Sequence, residues 1–153
     1  GRRDIHMADF LTYGSPNAYW SKMVEKYDII SKNEVRYDTY QADKAKVLLV
    51  AYGSSARICS RAVALGREEG LQVGLFRPIT LWPFAKEQLR SLAANSEKIL
   101  VVEDSAGQLV EDVENIVQGK VPVSLLGLWG RHKATASGII HPERVLQEVK
   151  KLI

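Results

Sequence analysis

The sequence predicts an α/β fold, a parallel sheet with helices on both faces. Three observations carry the prediction. Apolar runs of strand length recur at residues 47–51, 71–76, 98–103 and 121–126. Segments with apolar residues at helical spacing separate them, and the chain ends on one more such segment. Strands alternating with helices pair in parallel and are joined by right-handed crossovers.

Each element has its own signal. Ser15-Pro16 is a helix start, a hydroxyl N-cap followed by proline at the first position. Trp20, Met23, Val24, Tyr27 and Ile30 then share one helical face, and Asn33 ends the segment. In residues 34–40, Val35, Tyr37 and Thr39 alternate with Arg36 and Asp38, the pattern of a half-exposed strand at a sheet edge. The run VLLVAY is apolar throughout, as a strand covered on both faces requires.

The next helix aligns Ile58, Cys59, Ala62, Val63 and Gly66, with Arg57, Arg61, Arg67 and Glu68 mostly opposite. Gly66 on the buried stripe lets this helix approach the sheet closely, and Gly70 caps it. LQVGLF leads through RPITLWP to a helix with Leu89, Leu92 and Ala93 inward. KILVVE leads to a helix with Leu109, Val110, Val113, Ile116 and Val117 inward, stopped by Gly119. VPVSLL passes into a glycine-containing loop, and a last helix starting at Pro142 turns Val145, Leu146, Val149 and Leu152 inward.

Composition narrows the function classes. The chain has 153 residues, 46% hydrophobic and 25% charged, ordinary for one globular domain with a proper core. Its net charge of +3 is spread along the chain without a basic block or interleaved aromatics, so nucleic acid is not an expected partner. No apolar run is long enough for a membrane span. One cysteine excludes an internal disulfide and fits a cytoplasmic setting. The opening GRRDIHM has no apolar segment, and His6-Met7 is what a cloning junction leaves. Residues 1–14 therefore read as a cloning scar or linker, 15–33 as a helical arm and 34–153 as the α/β domain.

The chemistry-bearing candidates are few. GSSAR follows a strand and opens a helix, so Ser54, Ser55 and Arg57 are candidates for an anion site. However, neither the three glycines of a dinucleotide fingerprint nor a Gly-Lys-Ser/Thr is present, and Arg77 stands near where a ribose-binding acid would. The simpler reading makes Gly53 the turn and Ser54 or Ser55 the helix cap. Glu103, Asp104, Glu111, Asp112 and Glu114 suit a helix dipole and a solvated face without a metal. His132 and His141 lack zinc spacing, and Cys59 on the apolar stripe reads as buried. No catalytic residue and no metal ligand is expected. Two stretches suit a partner surface: RPITLWPF with Arg77, Trp82 and Phe84, whose simpler reading is packing beneath the helix, and the loop 127–141 with Arg131, His132 and Lys133.

The stretch from Val47 through RPITLWPF, followed by KILVVEDSAGQLVEDV, resembles the C-terminal domain of the α subunit of 2-oxoacid:ferredoxin oxidoreductases. The 2-oxoisovalerate or 2-oxoglutarate branch is nearer than the pyruvate branch, and the C-terminal domain of transketolase is a more distant likeness. After Leu126 the sequence departs from the family pattern. The resemblance implies a three-layer α/β/α domain whose mixed five-stranded sheet has its first strand antiparallel. It also implies an enzyme that decarboxylates a 2-oxoacid on thiamine diphosphate with Mg, passes electrons through iron–sulfur clusters to ferredoxin and acylates coenzyme A. No cofactor is expected in this chain, because the implied cofactors belong to other domains and subunits. This domain would complete the α subunit and contact the others, inactive alone. The alternatives are the equivalent domain of another thiamine enzyme and a free-standing anion- or nucleotide-binding module.

Overall fold

The computed structural model describes residues 14–128 and 140–153. The chain divides into two compact units, residues 1–35 and 36–153. The first contains α1 (Pro16–Asn33), which starts as its sequence predicts, with the Ser15 side chain accepting from Ala18 N–H. None of its side chains is buried, and Trp20, Val24, Tyr27 and Ile29 are exposed.

The second unit is built on β1 (Tyr37–Tyr40), β2 (Val47–Val50), β3 (Val73–Pro78), β4 (Lys98–Val102) and β5 (Val123–Leu126). They form one sheet in the order β1-β3-β2-β4-β5. β1 pairs antiparallel with β3 and every other pairing is parallel, so the mixed five-stranded sheet implied by the resemblance is present. β2 is buried at all four positions, which is why it reads as a continuous apolar run.

The helices are α2 (Gly53–Glu68), α3 (Lys86–Ala93), α4 (Leu109–Val117) and α5 (Pro142–Leu152). Val47, Leu49, Leu75, Leu100 and Val102 join Cys59, Ala62 and Val63 of α2 and Val145 and Val149 of α5 in one core cluster. Leu48, Val50, Ile99 and Val101 alternate to the opposite face, the side of α3 and α4, and are fully buried. Each such burial contributes about 1.5–3 kcal/mol. Gly66 of α2 is buried as its stripe predicts: a Cβ there would meet Val73 Cγ1 at 2.8 Å.

Four local expectations are corrected. β3 starts later than the apolar run and extends through Arg77 and Pro78, because β1 pairs there, Tyr37 opposite Pro78. Arg67 does not lie on the solvent face of α2. Its Nε donates to Val73 O and its terminal nitrogen to Gln41 O, both at 2.7 Å. Gln118, with φ +53°, is the left-handed cap of α4, one residue before Gly119. Neither Ser54 nor Ser55 caps α2. Tyr52 is the N-cap and makes no side-chain bond. Gly53, with φ +57°, bends the chain straight into the helix, so both serines already lie in its first turn.

Candidate functional site

The order β1-β3-β2-β4-β5 makes the sheet wind one way from β2 and the other way from β4. The carboxyl ends of these two neighbours flank the crevice where open α/β sheets take ligands. Gly53, Ser54 and Ser55 leave β2 there, and Glu103, Asp104 and Ser105 leave β4.

A hydrogen bond between exposed side chains spans this crevice. The Ser54 hydroxyl donates to Asp104 Oδ2 at 3.3 Å, across a gap of fifty residues in sequence. Ser55 is buried and Arg57 is exposed. The three candidate anion ligands therefore do not converge, and an anion here would share the end of α2 with the Asp104 carboxylate. Cys59, one turn further along α2, is fully buried. Burial pushes its thiol pKa up, and the charge of Asp104 adds to the shift. A thiol held in that state is a packing group, not a nucleophile.

Sequence reasoning named Glu103 only as one acid of a cluster and missed its burial and its partners. Glu103 is 0% exposed. Its Oε2 accepts from Ser105 Oγ at 2.7 Å, Gln108 N–H at 3.0 Å and Leu109 N–H at 2.9 Å, and its Oε1 accepts from Val110 N–H at 3.1 Å. The open amides at the start of α4 are satisfied by an acid from the end of β4. The signal was the last residue of KILVVE, an acid closing an otherwise apolar run.

Of the partner-surface candidates, Arg77 is exposed and Trp82 is 58% exposed, next to a cis peptide bond to Pro83. Phe84 is half-buried, its ring 6.2 Å from that of Phe76, which in turn stacks on Tyr37. Ile79 and Leu81 are also exposed. The turn between them is tied down: Thr80 Oγ1 donates to Pro83 O, and Arg36 O accepts from Ile79 and Thr80. Arg131, His132 and Lys133 lie outside the described residues. His141, the N-cap of α5, is exposed.

Thiamine diphosphate needs a metal that joins its phosphates to several oxygen ligands. Among the described residues, no three His, Cys, Asp or Glu side chains group as a metal site. The Glu103 carboxylate is committed to four donors, while Asp104, which accepts from Ser54 at 3.3 Å, and Glu111, Asp112 and Glu114 are exposed. These residues do not fit that cofactor. Nor does one buried cysteine fit an iron–sulfur cluster, which takes several thiolates. No helix among the described residues is long and apolar enough to cross a membrane.

Comparison with known proteins places this geometry first in a fold class and then in a family. The fold is shared with a split-gene transketolase solved as an inactive β4 tetramer. The TM-score is 0.61 at 18% identity, over 76% of this chain and 40% of that one. It is also shared with a 2-oxoglutarate:ferredoxin oxidoreductase from Magnetococcus marinus with 2-oxoglutarate, coenzyme A and succinyl-CoA bound. There the TM-score is 0.68 at 18% identity, over 90% of this chain and 24% of that one. Residues 45–139, more than half of the chain, match the family model of the pyruvate:ferredoxin oxidoreductase core domain II. The chain belongs to that family. Among curated relatives, the ketoisovalerate oxidoreductase subunit VorB of Methanothermobacter thermautotrophicus is 36% identical over 94% of this chain. The chain spans 39% of that subunit's length.

Proposed function

We propose that this chain is a supporting and subunit-interface domain of a thiamine-dependent 2-oxoacid:ferredoxin oxidoreductase, inactive by itself. The enzyme would oxidatively decarboxylate a 2-oxoacid to an acyl-coenzyme A and pass the electrons to ferredoxin, in the cytoplasm. The observation that carries the reading is the 36% identity, along almost the whole chain, to a ketoisovalerate oxidoreductase subunit. That relative favours the 2-oxoisovalerate type. The donor geometry supports the division of labour, because the buried acid of the sheet crevice, Glu103, is spent on the fold. Thiamine diphosphate, Mg, the iron–sulfur clusters and coenzyme A would then be held by other parts of the enzyme. The remaining domains of the α subunit and the other subunits are the partners. Arg77, Trp82, Phe84, Arg131 and Lys133 are the residues proposed to face them.

Calorimetry and turnover assays test this reading. The 153-residue chain should give no saturable heat with thiamine diphosphate and Mg²⁺ and no turnover of 3-methyl-2-oxobutanoate with an electron acceptor. The assembled enzyme containing it should turn that substrate over. Micromolar cofactor binding by the chain alone would overturn the supporting role.

A further inference from the structure

Glu103 and Ser105 connect two parts of the domain that are remote in sequence. The Glu103 carboxylate holds the Ser105 hydroxyl at 2.7 Å, and Gly107 N–H donates back to that hydroxyl at 3.2 Å. The carbonyl of the same Ser105 accepts from Leu128 N–H at 3.2 Å, just past the end of β5. Gly127 lies so close that a Cβ on it would stand 2.8 Å from the Ser105 oxygen. Glu103 N–H itself donates to Leu126 O at 3.2 Å.

We propose that Glu103 is a latch that makes the start of α4 and the exit from β5 a single cooperative unit. A buried carboxylate oriented by four donors can hold only one loop conformation, because any other leaves buried polar groups without partners. That conformation aims the Ser105 carbonyl at Leu128. The chain therefore leaves β5 in a direction set by an acid on a different strand. An amide in place of the carboxylate keeps one acceptor oxygen and presents a donor to amides that already donate. The first turn of α4 then loosens, and the Ser105 carbonyl is no longer held on Leu128.

Site-resolved hydrogen exchange on the full 153-residue chain tests the latch. In Glu103→Gln, the amides of Leu109, Val110 and Leu128 should all exchange at least ~10-fold faster than in the wild type, while Leu49 in β2 stays unchanged. Leu128 keeping its wild-type rate while Leu109 and Val110 accelerate would overturn the coupling. So would an equal acceleration of Leu49, which would mean that no local unit exists. Gly127→Ala probes the latch from its other end, and serves also if Glu103→Gln does not fold. Pressing on Ser105 should accelerate Leu109 and Val110, because coupling is reciprocal; unchanged rates there overturn the proposal. In the double variant Glu103→Gln/Ser105→Ala, the effects on Leu128 should fall short of additive. Full additivity counts against the latch.

Discussion

Gly74 in β3 lies directly beneath Gln41, where the chain turns away from the edge strand. Gln41 has φ +52°, and its carbonyl is held at 2.7 Å by Arg67. A Cβ on Gly74 would strike that carbonyl oxygen and stand 2.6 Å from Ala42 Cα. The glycine is what lets the antiparallel edge strand reach the parallel core.

Gly74→Ala should therefore destabilise the domain toward the upper end of the 1–3 kcal/mol typical of overpacking, because backbone must move. Gly66→Ala is the control. There the crowded atoms belong to the Val73 and Leu146 side chains, and alanine regains about 1 kcal/mol of helix propensity. Urea midpoints should fall clearly for Gly74→Ala and less for Gly66→Ala. Equal falls would refute the account of the edge strand.

Gly53 makes a different demand. Its φ is +57°, yet nothing lies within 4 Å of where a Cβ would go, so the constraint is backbone conformation and not space. Gly53→Val should cost roughly 1–3 kcal/mol, and Gly53→Asn clearly less, since asparagine tolerates the left-handed region. Thermal melts of both variants check this. Asparagine as damaging as valine would point to crowding instead.

What could be read from the sequence was whatever periodicity records. The covered β2 and the apolar stripes of α2, α4 and α5 lie where their patterns put them, whereas the edge strand β1, expected half-exposed over residues 34–40, starts at Tyr37 and is exposed at all four positions. Hydrogen bonds across long sequence distances leave no such pattern. Arg67 looked like a surface charge because a helical wheel does not show that Gln41 and Val73 offer carbonyls to it. Glu103 looked like one acid of a cluster, although its neighbour Asp104 is exposed and Glu103 is fully buried. Serines after a strand suggested a cap, but one positive φ at Gly53 moved the helix start ahead of them. Within the candidate site, residue types were legible and their partners were not.

The Cys59 thiol should make stability fall in alkali. Its folded pKa lies above the unfolded value of about 8.5, so below that pH the thiol is neutral in both states and its stabilisation is fully present. As pH rises further, unfolding releases its proton, and stability drops by up to about 1.4 kcal/mol per pH unit. Cys59→Ala should remove that slope while adding a pH-independent loss for the missing sulfur. Urea midpoints of both proteins at pH 7, 8, 9 and 10 measure the difference. Parallel pH profiles would show that the thiol ionises as freely in the fold as out of it.

Trp82 and Phe84 sit two residues apart, and their substitutions should separate folding from assembly. Phe84 packs its half-buried ring against Phe76, so Phe84→Ala should destabilise this chain itself, toward the low end of the roughly 3–5 kcal/mol lost when a core aromatic is truncated. Trp82 is 58% exposed, and Trp82→Ala should shift the melt of the isolated chain by less than Phe84→Ala does. If the proposed interface includes it, the same substitution should weaken subunit assembly by about 2 kcal/mol or more, the loss expected for a tryptophan covered at a contact. That corresponds to roughly a thirty-fold weaker Kd. Native mass spectrometry or analytical ultracentrifugation of the assembled enzyme reads the second effect, and a thermal melt of the chain reads the first. A Trp82→Ala chain that unfolds alone would make the tryptophan a folding residue. One that folds and assembles with wild-type affinity would remove it from the interface.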